Sequence, residues 1–343
     1  MIKISSRGAR ILTKEVVCDG FYFNSRYRIQ THAHSDHTNK FATSLSKEVV
    51  ATKPTLQILE VNHSIPLLLH RKNVHELSIG KEIEFDDCKI EFKDAMHMVG
   101  SVQVAVEGLD EVRYGYSGDF SVNACDNPID VDYLLVDSTY GSPHSIRSFN
   151  QSEAFSCLFE IVGEHYLNKP IILNGKLGTI HKTINKICNA FPNLPILIGK
   201  NDEKMFEIFN NSGYRNENIF IDDQLDFKII KIRHEGRYLR AYSSKSDLPS
   251  DISNYVYINL SGIFHRNSGP VAKHNGDQYT VAITDHADFE GTMRYVKSVN
   301  PKRVFTDPLS NPEHARLLSL EIRSEFKIKA SVAEIDKSKN WGL

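Results

Sequence analysis

The sequence is short of several things, and each shortage excludes a class of protein. None of its apolar runs approaches the ~20 residues of a membrane span, so no spanning helix is expected. The opening, "MIKISSRGARILTKEVV", lacks the continuous apolar core of a secretory leader. This start is expected to stay in the mature protein, and the protein to work in the cytoplasm. Cysteines number five (Cys18, Cys88, Cys125, Cys157 and Cys188), and no two form a C-x-x-C pair. They read as reduced, mostly buried thiols, which argues against a disulfide framework or a zinc ribbon. Charge of one sign is missing too, since 41 Lys and Arg face 43 Asp and Glu. Such a chain exerts no global pull on a polyanion. If it handles nucleic acid, the positive charge must be local or supplied by bound metal.

What remains is an ordinary globular composition over 343 residues, long enough for two domains or one elaborated one. Up to about residue 140 the text reads as short strands and turns. "FYFN" and "YRIQT" are strand-like, "EIEFDDCKIEFKDA" is a hairpin around Asp86-Asp87, and "KPTLQILEV" is a short helix. "SVQVAVEGLDEVRYGYSGD" is a second hairpin, turning at Gly108 to Glu111. "DYLLVDSTYG" carries the apolar run of a strand buried on both faces.

The middle alternates differently. "NQSEAFSCLFEIVGEHYLNKP" is an amphipathic helix with Ala154, Leu158, Ile161 and Val162 on one stripe. "PIILNG", "LGTIHKTINKICNAF", "PILIGKN" and "DEKMFEIFNNSGY" continue as strand, helix, strand and helix, the pattern of a parallel sheet with helices on its faces. Further strands are expected in "FKIIKIRH", "YLRAYSS" and "NYVYINL". From about 279 a β-α-β-α-β series returns, its last helix opened by Asn311 and Pro312. The expected plan is a domain begun in 1–140, interrupted by an insertion over 141–278, and completed by 279–343.

The densest chemistry is "THAHSDHT", residues 31 to 38. Residues two apart in extended backbone project to one side, so His32 and His34 can grip one ion at the end of the preceding strand. Asp36 and His37 are adjacent, expected where the chain turns into a helix, and point elsewhere, towards a second ion. Imidazole with carboxylate suits Zn²⁺ and also Mn²⁺ or Fe²⁺. A merely hydrophilic, His-rich loop is the bland alternative, and the H-x-H-x-D-H spacing argues against it. His97, before a Gly-Ser turn in "DAMHMVGSVQV", and Asp119, in "YGYSGDF", fall where the second hairpin returns to the same sheet edge. A carboxylate with two oxygens, such as Asp119, can bridge two metals.

In this order, His-x-His-x-Asp-His, a His before "GS", then "SGD", the chain resembles the metallo-β-lactamase fold, an αβ/βα sandwich with metals at one edge. "YLLVDSTYGSP" and "ITDHADF" are similar to the nucleic-acid-processing β-CASP branch, which carries an inserted α/β cap domain. "GKLGTIHKTINKI" resembles that cap's Gly-containing helix start. The compact length is most similar to the bacterial DNA ligase-associated exonucleases. The resemblance implies His32, His34 and His97 on one metal, Asp36 and His37 on a second, and Asp119 between them. It also implies two divalent ions, Zn or Mn, with Asp36, Asp137 and His286 catalytic. Many relatives have a further histidine after the next strand. Here the region reads "KRVFTDPLSNP", where Asp307 could substitute as a ligand, or the second site could be weakly held, as in Artemis-like relatives.

Nucleic acid is the expected partner, DNA before RNA, with a DNA ligase or helicase of a repair system beside it and no membrane. Lys176, His181, Lys182, Arg233 and Arg237 are the expected phosphate contacts, with Lys228, Lys231 and Arg240 in the same stretch. A solvated charged strand face is the plain alternative. Tyr140 and Phe264 could stack on a base, although aromatics more often serve the core. The expected reaction is phosphodiester hydrolysis leaving a 5′-phosphate and a 3′-hydroxyl. Alternatives are a ribonuclease of the same branch and a catalytically silent binding subunit. Small-molecule hydrolysis would predict a short loop in place of the long insertion.

Overall fold

A computed structural model describes residues 2–214, 218–223, 225–244, 247–262 and 269–336. Among these the chain is mixed α/β, with three seven-stranded sheets and seven α-helices. It divides into two compact units, Met1–Ile146 with Asp285–Leu343, and Arg147–Thr284. The expected breaks after 140 and 278 fall early. Strand Gln278–Val281, assigned from sequence to the completing segment, instead pairs in parallel with Val256–Leu260 in the inserted unit's sheet.

The first unit is built from two sheets that share one apolar core. One runs in the order Glu334–Asp336, Lys3–Ser5, Arg10–Ile11, Val16–Cys18, Tyr27–Ile29, Glu48–Ala51, Val74–Glu76. The other runs Lys329–Val332, Arg303–Thr306, Tyr133–Val136, Arg113–Tyr116, Val102–Gly108, Cys88–Asp94, Glu82–Glu84. Ile4, Ile29 and Val50 from the first meet Val104, Leu135 and Phe305 from the second in a single buried cluster. Leu134, Val136 and Val304 point the other way, onto Met293, Val296, Leu318 and Ile322 of helices Phe289–Val299 and Pro312–Phe326. Period-2 alternation therefore buries the strand at 133–136 on both faces, as its apolar run requires. Both helices start on side-chain caps: Asp288 accepts from Gly291 N at 2.9 Å, and Asn311 from Glu313 N at 3.1 Å.

Strand direction gathers the chemistry at one edge. Arg113–Tyr116 and Tyr133–Val136 are parallel, so Asp119 and Asp137 leave the second sheet at the same end. Val102–Gly108 is antiparallel to Arg113–Tyr116, so the turn before it, carrying His97, lies there too. Val102 N donates to Thr31 O at 3.0 Å, which ties the "THAH" segment of the first sheet to this edge.

The inserted unit is a parallel sheet, Ile219–Ile221, Ile196–Ile198, Leu239–Tyr242, Ile171–Asn174, Val256–Leu260 and Gln278–Val281, closed by antiparallel Val271–Lys273. Helices Gln151–His165 and Thr179–Ala190 cover one face. The segment expected as a strand at "FKIIKIRH" is a helix, Phe227–Glu235. Its β-branched residues favour a strand, but local end signals decide. Asp226 accepts from Lys228 N at 2.7 Å, Gly236 closes the end at φ 68°, and Ile229 and Ile232, three apart, are the buried pair.

Candidate metal centre

His32 and His34 sit in an extended segment after strand Tyr27–Ile29 and project together, as the spacing predicts. Ser35 to His37 form a turn rather than the expected helix start, with His37 N donating to His34 O at 3.0 Å. His97 is pinned from behind, its backbone N donating to Ser101 Oγ at 3.1 Å. Its Nδ1, within 3.1 Å of the Asp285 carbonyl, must carry the proton, which leaves Nε2 as a lone pair. Asp119 follows Gly118, whose φ of +58° and closeness to Val102 O (2.7 Å from an added Cβ) admit only glycine.

One ligand atom each from His32, His34, His97 and Asp119 lies within 4.8 Å of the others. His97 Nε2 is 3.2 Å from His34 Nδ1, and Asp119 Oδ2 is 3.7 Å from His32 Nε2 and 3.8 Å from His97 Nε2. Four donors on one tetrahedral ion with bonds near 2.0–2.1 Å would stand roughly 3.3 Å apart. His32 Nε2 is buried with no hydrogen-bond partner, an orphan that an ion satisfies. Burial, with the neighbouring His37, holds His32 well below the usual imidazole pKa; burial and His286 do the same for His97. Both are therefore neutral, as ligands must be. The donor set fits a Zn²⁺-type or Mn²⁺-type ion.

The other side of Asp119 is different. Its Oδ1 is 3.4 Å from His37 Nε2, so the carboxylate turns one oxygen to each side. His37 Nδ1 pairs at 2.7 Å with Asp19, which also accepts from Thr31 N at 2.9 Å and Gln30 Nε2 at 3.0 Å. Burial opposes charging His37, but Asp119 and Asp19 outweigh it and its pKa rises to about 10. Burial likewise opposes charging Asp119, yet the charge and hydrogen bond of His37 keep it well below the carboxylate range. Asp36 is largely exposed, 3.9 Å from His37 Nε2. Asp307 is not among the clustered donors: its Oδ2 accepts from buried Arg10 Nε at 2.8 Å and its Oδ1 from Leu309 N at 2.9 Å.

Asp137 accepts from Thr139 N at 2.9 Å on one oxygen and faces His286 Nδ1 at 3.3 Å with the other. His286 Nε2 comes within 3.8 Å of Asp119 Oδ2. Burial lowers the His286 pKa, but the Asp137 hydrogen bond and the Asp119 charge raise it by more. The Tyr140 ring meets His286 edge-on at 5.8 Å; Phe264 lies outside the described residues.

The expected phosphate contacts fare less evenly. Lys176 and Arg237 are exposed, and Lys182 is half-buried. His181 is fully buried, stacked on Phe209 at 4.1 Å, and burial lowers its pKa to about 3. That removes it from any contact surface. Arg233 and Arg240 both pair with Asp222, at 2.5 and 2.9 Å, and Lys228 lies 4.1 Å over the Phe220 ring. With that segment helical, these residues do not form an alternating strand track. Sequence reasoning missed Asp19, Arg10 and the Asp285 carbonyl. Asp19 does follow an apolar triplet and precede Gly20, but the same text reads as an ordinary turn.

No family model matches the chain. Over 299 residues it is 23% identical to a probable DNA ligase from Opitutus terrae, an alignment covering 83% of this chain and 27% of that protein. It is 35% identical over 97 residues to an uncharacterized protein in the lig 3' region of Acidianus ambivalens, covering 28% of this chain and 65% of the other. An RNase J-like protein of Methanocaldococcus jannaschii is 28% identical over 138 residues, 35% of this chain and 32% of its own length. The chain thus spans less than two thirds of each of these relatives. A protein of unknown function from Enterococcus faecalis V583 has a similar fold, with a TM-score of 0.63 over 92% of this chain and 81% of its own, at 16% identity. At low identity the chain is similar to proteins named for DNA ligase and for RNase J, which supports a nucleic-acid-acting family loosely and no single member of it.

Proposed function

We propose that this chain is a metal-dependent phosphodiesterase acting on nucleic acid, with a metallo-β-lactamase fold and a β-CASP insertion. DNA-end exonuclease action in repair is the preferred reading. The observation that carries it is the convergence of His32, His34, His97 and Asp119 on one point, with the Asp137–His286 pair alongside. The likeness to a segment of a probable DNA ligase supports the repair setting, with a DNA ligase as the expected partner.

His32, His34, His97 and Asp119 would hold a divalent ion, Zn or Mn, which when bound would supply Lewis acidity for acidifying water and offsetting charge on the phosphoryl oxygens. The chain's own residues do the rest. Asp285 O fixes His97 through Nδ1, and Asp19 fixes His37 through Nδ1, so both rings present Nε2 to Asp119. Asp137 orients His286, which carries the proton for the leaving O3′ at Nε2, 3.8 Å from Asp119. Products are a 5′-phosphate and a 3′-hydroxyl.

The likeness to an RNase J-like protein favours a second reading, a ribonuclease with the same chemistry, since hydrolysis here does not use the 2′-hydroxyl. The test offers end-labelled single- and double-stranded DNA and RNA to the purified protein with Mn²⁺ or Zn²⁺, beside an Asp36→Ala/His37→Ala control. DNA shortened from an end is the expected result. Cleavage of RNA alone transfers the assignment to the second reading, and equal activity in the control removes both.

A further inference from the structure

The two oxygens of Asp119 face unequal surroundings. Oδ2 belongs to the four-donor set with His32, His34 and His97, and His286 Nε2 also lies 3.8 Å from it. Towards Oδ1 stands His37, with Asp36 exposed beyond it. Asp307 leaves strand Arg303–Thr306, parallel to Tyr133–Val136, at the edge that carries Asp137, and there it is held by Arg10. Arg10 is 3% exposed and grips Asp307 Oδ2 at 2.8 Å through Nε. Its Nη1 lies 3.9 Å from Asp19 Oδ2, the same oxygen that binds His37 Nδ1 at 2.7 Å. The Tyr116 ring covers the guanidinium at 5.4 Å. A permanent cation is thus buried one carboxylate behind His37.

Resting on the metal-dependent reading above, we infer that Arg10 is a positioning residue that keeps Asp307 out of the ion sphere, so the protein holds one divalent ion tightly and a second loosely. Two physical effects act in the same direction. The Arg10–Asp307 pair removes an oxygen donor from the His37 side, because withdrawing that carboxylate would leave the guanidinium buried with a weaker partner. The guanidinium, 3.9 Å from Asp19 behind His37, also adds repulsion toward a second dication, to the extent that Asp307 and Asp19 do not offset it. Neither effect removes a donor from the Oδ2 side.

The test reads metal binding and needs no nuclease assay. Metal-stripped full-length protein is titrated with Mn²⁺ and with Zn²⁺ by calorimetry, and retained metal is measured after gel filtration. Wild type is expected to retain one ion, with the second at least about tenfold weaker. Arg10→Gln frees Asp307 and should tighten the second ion about tenfold or more, and Arg10→Gln/Asp307→Asn should lose that gain. Two equally tight ions in wild type, or no tightening in Arg10→Gln, overturns the inference while leaving a metal enzyme in place. Failure of any ion to bind overturns the proposed function as well. Should Arg10→Gln not fold, crystals of wild type soaked in Mn²⁺ decide by anomalous scattering. Asp307 still on Arg10 supports the inference, and Asp307 at ~2.0–2.2 Å from an ion ends it.

Discussion

The polar residues of the two units are organised on opposite principles. At the sheet edge of the first unit, imidazoles are fixed from behind and aim their front nitrogen at Asp119. His97 is held by a carbonyl, His37 by Asp19, and His32 Nε2 has no partner. In the inserted unit the conspicuous charged side chains are paired. His181, whose two ring nitrogens have no partner, is sealed between Phe206 and Phe209, outside the donor clusters found among the described residues. Arg233 and Arg240 share Asp222, Lys228 lies on Phe220, and His181 is stacked on Phe209. Pre-oriented groups that converge with unmet bonding capacity mark a site, whereas an isolated unpartnered ring or a count of charged residues marks little.

The comparison breaks most visibly if the first edge binds no metal. His97→Ala should abolish retained metal and lower turnover on the order of 10³-fold, read by elemental analysis and single-turnover rates. Retention of a full metal complement would remove His97 from the donor set. His286→Ala should lower turnover ~10²–10⁴-fold while retained metal stays at the wild-type level; parallel loss of metal would make it a ligand instead. Asp19→Asn keeps the shape but weakens the grip on His37, so second-ion affinity should fall ~10–100-fold with the first ion unaffected. An unchanged second ion would reduce Asp19 to a purely structural role.

The inserted unit gives smaller effects. A His with a folded-state pKa of about 3, against an ordinary value near 6.5, binds fewer protons folded than unfolded across that window. Stability should therefore be full above pH 6.5 and fall, through this group, as pH drops from 6.5 towards 3. His181→Phe should flatten that slope in acid-unfolding curves without altering nucleic-acid affinity. If affinity drops instead, the burial argument fails. Smallest of all, Lys176→Ala should lower the salt slope of DNA binding by about 0.9, while Arg233→Ala, already paired with Asp222, should leave it unchanged. The reverse pattern would restore the basic track expected from sequence.

How much was legible follows from the range of each interaction. The helix over 312–326 was readable because Asn311 and Pro312 act within one turn. At "FKIIKIRH" the deciding signals are local too: Asp226 and Gly236 close a helix at both ends and override the β-branched content. His181 and Arg233 looked available because sequence shows charge and polarity but not Phe209 or Asp222 across from them.

By itself the sequence determined that His32 and His34 share a side, since period-2 projection is a property of extended backbone. It also determined that Gly118 and Asp119 belong to a strand end, because turn chemistry is local. Only the tertiary structure decided that Asp307 belongs to Arg10, 297 positions away, and that Asp19 stands behind His37. Those pairings depend on how strands from distant parts of the chain are ordered in the sheets, and no local pattern encodes that order.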